Sequence, residues 1–221
     1  MNPTLAKPRR TLIDLLPRAD ARAASIARDA ALVVGFAIFT ALLAQVRITL
    51  SFTPVPITGQ TLAVLVSGAA LGWRRGALSQ LVYWAVGIFM PVAWYANDTT
   101  GSSISKGWHT ATGTTAGYLL GFVVAAALVG LLAERGQDRD FATSVPAMLA
   151  GTAIIYVFGA VWLAHELNIP VANGEANALA YGVTPFLIGD GIKLCLAGAL
   201  TPLAWKFAGS RSGTGEGRDA G

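Results

Sequence analysis

Asp190 and Lys193 stand three residues apart in Thr184-Pro185-Phe186-Leu187-Ile188-Gly189-Asp190-Gly191-Ile192-Lys193-Leu194-Cys195-Leu196-Ala197, the opening of the last long apolar stretch. A charge near the centre of a bilayer costs about 2.5 to 3.5 kcal/mol on insertion scales. Residues three apart on a helix share one face, so the two charges can neutralise each other. An acid and a base held together in apolar surroundings form a recognition pair, with an acceptor on one side and a donor on the other. Two readings are open: the pair lines a pocket, or it ties two helices together.

Little else in the chain is equipped for covalent chemistry. There is no Gly-x-x-x-x-Gly-Lys-Ser/Thr phosphate loop, no His-Glu-x-x-His and no Gly-x-Ser-x-Gly. The two histidines, His109 and His165, are isolated and read as polar loop residues. Cys195 is the single cysteine, which excludes an intrachain disulfide and a cysteine-based metal cluster. No nucleophile and base stand at workable spacing. The expectation is therefore a protein with no catalytic residue, no metal and no cofactor. If transport is driven by ATP, another subunit must hydrolyse it.

The elements that must carry the pair are apolar. Of 221 residues 54% are hydrophobic and 13% charged, against about 25% charged in a soluble domain, so the chain reads as an integral membrane protein. Six segments approach the ~20 residues that span a bilayer: Ala30 to Val46, Val55 to Gly72, Ala77 to Trp94, Ala116 to Ala133, Val145 to Ala164 and Val183 to Phe207. Backbone groups in lipid must bond internally, which makes them helices. The second opens with Pro54-Val55-Pro56-Ile57-Thr58-Gly59-Gln60, a loop by its prolines and glycine, so its helix proper is Thr61 to Gly72. Residues 1–29 read as a retained, basic N-terminal tail in which Leu12 to Leu16 form either a short interfacial helix or nothing regular. Residues 209–221, rich in Gly and Ser, read as a flexible tail.

Of the 16 Lys and Arg, thirteen fall on one side if the N-terminal tail is cytoplasmic. Only Arg47 and Lys106 fall on the other, and Lys193 lies within a span. That asymmetry places both termini in the cytoplasm. It also explains the basic pI of about 9.5 without nucleic acid. The connections on the outer side are the longer and more irregular ones, Arg47 to Gln60 and Tyr95 to Thr115. Counted from Val183, Asp190 lies about 10 Å deep and Lys193 about 15 Å deep at 1.5 Å per residue. The expectation is a pocket open to the outside beneath two loops.

Small residues four apart, Ala37 and Ala41, Gly68 and Gly72, and Gly113, Gly117 and Gly121, let membrane helices approach closely. Asn97-Asp98-Thr99 matches a glycosylation sequon. Trp73, Trp162 and Trp205 read as interfacial aromatics.

Four stretches carry a family resemblance. Phe52-Thr53-Pro54-Val55-Pro56-Ile57-Thr58-Gly59-Gln60-Thr61-Leu62 resembles the first-loop signature of the BioY family, the biotin-specific S components of energy-coupling-factor (ECF) transporters. Leu71 to Ser79, Ala116 to Phe122 and Pro185 to Lys193 are similar to further family motifs, and the likeness runs over residues 31 to 205. The resemblance implies an all-α fold of six transmembrane helices with both termini cytoplasmic, in the plasma membrane of a prokaryote. It implies biotin bound from outside, and as partners a transmembrane coupling subunit and two ATP-binding-cassette ATPases. Asp190 and Lys193 match the polar pair of the family pocket, and Ala37 and Ala41 the face that meets the coupling subunit. The chain departs from the family after Pro91, where it has Val92 to Asp98 and an insertion with Trp108 and His109.

Biotin's ureido ring, apolar bicycle and carboxylate suit the residues present. Asp190 could accept from ureido N–H groups. Lys193 could donate to the ureido oxygen or to the carboxylate. Asn97, Gln60 and Thr58 add polar contacts, while Tyr118, Trp84, Trp94 and Trp108 could wall the rings. A solitary or ion-coupled vitamin carrier, with a proton relayed by Asp190 and Lys193, is the alternative.

Overall fold

A computed structural model describes residues 11–15, 22–89, 94–95 and 104–212. In chain order the helices are α1 (Arg22–Gln45), α2 (Gln60–Leu71), α3 (Trp73–Phe89), α4 (Ile104–Thr112), α5 (Ala116–Glu134), α6 (Phe141–Leu167), α7 (Ala178–Gly182) and α8 (Leu187–Ser212). Two 3-10 turns, Leu12–Leu15 and Thr184–Phe186, and a two-residue antiparallel ladder of β1 (Arg47–Ile48) with β2 (Ile57–Thr58) complete it. The architecture is all-α. Four stretches, Arg22–Gln45, Ala116–Glu134, Phe141–Leu167 and Ala178–Phe207, are long and apolar enough to cross a membrane.

α5 is the centre of the bundle. It packs on α6, α2 and α3, while α1 leans on α3 and α8 fits against α6 and α2. Glycines set these distances. A Cβ at Gly68 would meet the Ala126 carbonyl oxygen at 2.6 Å, and one at Gly121 the Ile155 Cα at 3.0 Å. The glycine spacing thus acts as close-packing ridges. Gly72 is the single residue between α2 and α3 and has φ +82°, a conformation that L side chains resist. Beneath it, Glu134 accepts from the Trp73 amide at 3.2 Å.

The second apolar segment is shorter than its composition suggests. Its helix starts at Gln60 and runs twelve residues, about 18 Å at 1.5 Å per residue. Nine of the twelve are buried. The preceding residues, 49–56, are irregular. α8 is likewise not continuous from Val183. Pro185 interrupts it, a 3-10 turn intervenes, and the helix begins at Leu187. Asp190 therefore lies in its first turn rather than two turns deep, where the positive end of the helix dipole favours a carboxylate.

Of the two readings open for Leu12 to Leu16, the structure takes the regular one: Leu12–Leu15 form a 3-10 turn, Thr11 is buried and Asp14 bridges to Arg75 at 2.9 Å. Arg28 donates to the Ile13 carbonyl at 2.5 Å, and α1 starts at Arg22, earlier than Ala30. Burial alone would push the Asp14 carboxyl up, but the Thr11 amide and hydroxyl and the Arg75 guanidinium outweigh it and hold it below the usual range. At the other end α8 continues to Ser212, and residues 213–221 lie outside the described ones.

Ala37 and Ala41 are also placed differently from expectation. They are only 1% and 6% exposed and belong to the main apolar cluster of the chain itself. α1 turns its small residues inward so that it can lie close to its neighbours. Its outward face at the same period is Val34, Ile38 and Leu42. Beside this cluster, the fully buried Gln80 amide donates to Thr40 at 3.2 Å and to Ser67 at 3.1 Å, which ties α1, α2 and α3 together.

Candidate functional site

The cavity lies where α2, α5, α6 and α8 converge under the segment from Val55 to Gln60. About 590 Å³ of empty space, solvent at the open mouth included, lies among its lining residues. Its polar floor is built on α8. Lys193 Nζ donates to Asp190 Oδ1 at 2.5 Å and to the Thr58 carbonyl at 2.5 Å, with Thr61 Oγ1 3.4 Å away. Thr61 on α2 donates to Asp190 Oδ1 at 3.0 Å, and Tyr156 on α6 donates to Asp190 Oδ2 at 2.8 Å. Asp190 is 5% exposed. Cation and hydroxyl donors replace the water that burial took from its oxygens.

The i,i+3 spacing supplies the ion pair. The other partners come from helices remote in sequence. Thr58 closes β2 and receives its place from the ladder with β1. Its hydroxyl donates to Gln60 Oε1 at 2.8 Å, and the Gln60 amide donates to the Tyr83 hydroxyl at 2.7 Å. Farther out, Thr53 donates to the Tyr181 carbonyl at 2.7 Å, which fastens the first loop to α7.

The walls are aromatic and aliphatic. The Tyr118 ring stands in a slot between Gly159 and Gly182, where a Cβ at either position would collide with it. Its hydroxyl donates to the Gly182 carbonyl at 2.7 Å. Phe122, Ile155 and Phe186 are further apolar lining, and Tyr95 reaches the cavity with its hydroxyl donating to the Trp84 carbonyl. Thr110 of α4 and Thr115 also line it, the Thr115 hydroxyl donating to the Thr110 carbonyl at 3.0 Å.

Of the residues singled out from the sequence, Asp190, Lys193, Gln60, Thr58 and Tyr118 line this one cavity. Asn97 lies outside the described residues. Trp84 does not line the cavity, since its indole N–H is committed to the Ala111 carbonyl at 3.1 Å and anchors α4. Trp94 is buried against Tyr83, with rings stacked 5.8 Å apart, and also stands behind the wall. Trp108 is 55% exposed and points away. Tyr156 and Thr61 escaped the sequence reading. The signal for Tyr156 was a phenol inside an otherwise apolar span, whose hydroxyl must find a partner when buried. Among the described residues no three His, Cys, Asp or Glu gather to hold a metal.

The arrangement offers one acid–base pair, hydroxyl groups and apolar walls. The sequence matches the BioY family over residues 14–210. The biotin transporter BioY of Rhizobium etli is 34% identical over 182 residues, covering 78% of this chain and 90% of that protein. The biotin transporter BioY of Thermotoga maritima is 35% identical over 162 residues, covering 72% and 87%. In fold the chain is similar to the crystal structure of the S-component for biotin from an ECF-type ABC transporter, with TM-score 0.67 at 20% identity over 85% of this chain and 95% of that one. The chain is a multi-pass membrane protein with an S-component fold, and it belongs to the BioY family.

Proposed function

We propose that this protein is the substrate-capture subunit of a biotin uptake system in the cell membrane, working with the energy-coupling module of an ECF transporter. The observation that carries the reading is the polar pair under the first loop. Asp190 and Lys193, 2.5 Å apart, neutralise each other, so the floor of the cavity suits a neutral group with both donors and an acceptor. A ureido ring is such a group. Asp190 accepts an N–H, Lys193 donates to the carbonyl, and the apolar rings lie among Tyr118, Phe122 and Phe186. The carboxylate tail then extends toward Thr110 of α4.

In this reading six helices span the bilayer, both termini are cytoplasmic and the cavity opens outward, in agreement with the distribution of Lys and Arg. The partners are a transmembrane coupling subunit and two ATPases, since the sequence contains no phosphate-binding loop. Titration calorimetry of the purified full chain with biotin, without ATP, tests the reading. Saturable binding at one site per chain is expected. A folded sample that gives no heat and does not retain labelled biotin would refute it.

A further inference from the structure

Trp84 stands behind the cavity wall, yet two of its polar groups hold residues that line the cavity or adjoin its lining. Its main-chain carbonyl accepts from the hydroxyl of Tyr95, a lining residue, and its indole N–H donates to the Ala111 carbonyl at 3.1 Å. Ala111 is 1% exposed and adjoins Thr110, which lines the cavity from α4. We propose that Trp84 is a positioning residue for biotin binding, whose indole N–H holds the last turn of α4 in place as a cavity wall before the ligand arrives. The inference rests on the biotin reading above and adds to it a residue outside the cavity. The segment it holds is also one in which the sequence departs from the family pattern, around Trp108 and His109.

α4 needs such an anchor. Its nine residues are fewer than an isolated helix needs for stability, so its place is set by what it packs on. Gly107 lets it lie directly on α3, since a Cβ there would meet the Gly87 carbonyl oxygen at 2.4 Å. Gly87 in turn leaves room for the Tyr95 ring, with which a Cβ would collide. The last carbonyls of a helix have no partner inside it. At the end of α4 the Trp108 carbonyl accepts from the Thr112 hydroxyl at 2.9 Å, that of His109 from the Gly113 amide at 2.8 Å, and that of Thr110 from the Thr115 hydroxyl at 3.0 Å. Those donors belong to the same segment and move with it. The donor to Ala111 belongs to α3 and ties the segment to the bundle. A second tie, from the Trp162 indole on α6 to the Gly113 carbonyl at 2.9 Å, lies at the exposed surface, where other donors can take its place. Ala111 is buried, so solvent does not make good a lost N–H there.

The test measures biotin affinity by calorimetry and amide exchange by mass spectrometry on the purified full chain. Trp84→Phe removes the indole N–H and part of the ring. Trp84→benzothienylalanine removes the N–H alone and keeps the bicyclic shape, so it carries the test if the first variant folds poorly. Each should bind biotin at least tenfold more weakly, as expected if the wall is formed about one-tenth of the time in the free protein. Exchange at residues 108–113 should rise in the free variants. It should return to the level of the biotin-bound parent at saturating biotin, because the ligand re-forms the wall. A role in folding alone would leave exchange high with biotin bound. Trp162→Phe, the same change at the exposed tie, should stay within about threefold of the parent's affinity. Parent-like affinity in the benzothienyl variant, unchanged exchange at 108–113, or exchange that biotin does not restore overturns the inference. So does an equal loss of affinity in Trp162→Phe. A parent that binds no biotin overturns the biotin reading and this inference with it, whereas a parent that binds, with variants that bind equally well, overturns this inference alone.

Discussion

Lys193 Nζ lies 2.5 Å from the main-chain carbonyl of Thr58, a contact between residues 135 positions apart. The same ammonium therefore holds the floor of the cavity and the segment that covers it. Lys193→Met keeps the apolar stem and removes all three donors. It should weaken biotin binding at least tenfold, about 1.4 kcal/mol. It should also raise amide exchange at Ile57, Thr58 and Gly59, measured by mass spectrometry on the purified protein. Weaker binding with no change in exchange would mean that the lysine serves the ligand alone.

Asp190 and Lys193 also depend on each other. Removing one member of a buried pair typically costs about 3 to 5 kcal/mol, much of it from the stranded charge. Asp190→Asn and Lys193→Met should each lower the thermal midpoint. The double variant should regain most of that loss and still fail to bind biotin. If it binds like the parent, the pair is a helix tie and the ligand sits elsewhere.

Gly159 makes room for the Tyr118 ring, with which a Cβ there would collide. Gly159→Ala must push the ring or part α5 from α6. Overpacking of this kind costs about 1 to 3 kcal/mol. The expected outcome is a lower thermal midpoint together with weaker biotin binding, whereas Gly191→Ala, which has open space around it, should leave both unchanged. Equal behaviour of the two variants would show that the slot is not tight.

Ala41 is buried inside the chain, so Ala41→Trp should act on folding. We expect a poorly folded, low-yield protein in which biotin binding and uptake fall together. Full binding with lost uptake would instead place this face against a partner subunit.

Asp138, in the connection between α5 and α6, is 2% exposed. Its Oδ2 accepts from the Trp205 indole at 2.6 Å, and its Oδ1 is buried with no hydrogen-bond partner among the described residues. Burial pushes this carboxyl up against the lowering effect of the Trp205 N–H and of Arg139. A carboxyl raised in the fold keeps its proton longer when folded than when unfolded. Its contribution to stability is complete below the unfolded value, about 3.9, and is lost as the pH rises through the raised folded value. Asp138→Asn keeps an acceptor for Trp205 and removes the charge. Its thermal midpoint should exceed that of the parent at pH 7 and match it near pH 4. Each 1 kcal/mol gained moves the midpoint by about 2 to 4 °C in a chain of this size. A parent more stable than the variant at pH 7 would contradict the assignment.

Much of the site was readable in the linear chain. Asp190 and Lys193 stood out because charge in an apolar span is expensive, and Thr58 and Gln60 because prolines and glycine marked an irregular loop. Tyr156 was missed because one phenol among aliphatic residues carries no periodic signal, and Thr61 because a threonine in a helix names no partner. Trp84 was misplaced for the opposite reason, since an aromatic near a loop says nothing of which way its ring turns. Ala37 and Ala41 were identified correctly as a close-packing face, but the spacing is the same whether the neighbour is another chain or α3.

Composition and hydropathy determined by themselves that this chain is a helical membrane protein, because the cost of placing polar backbone and charge in lipid is paid residue by residue. Only the tertiary structure decided which helices meet Asp190 and that Tyr156 faces it. Those outcomes depend on contacts between segments more than thirty positions apart, made possible by glycines at the crossings, and no local pattern encodes which distant hydroxyl will reach a given carboxylate.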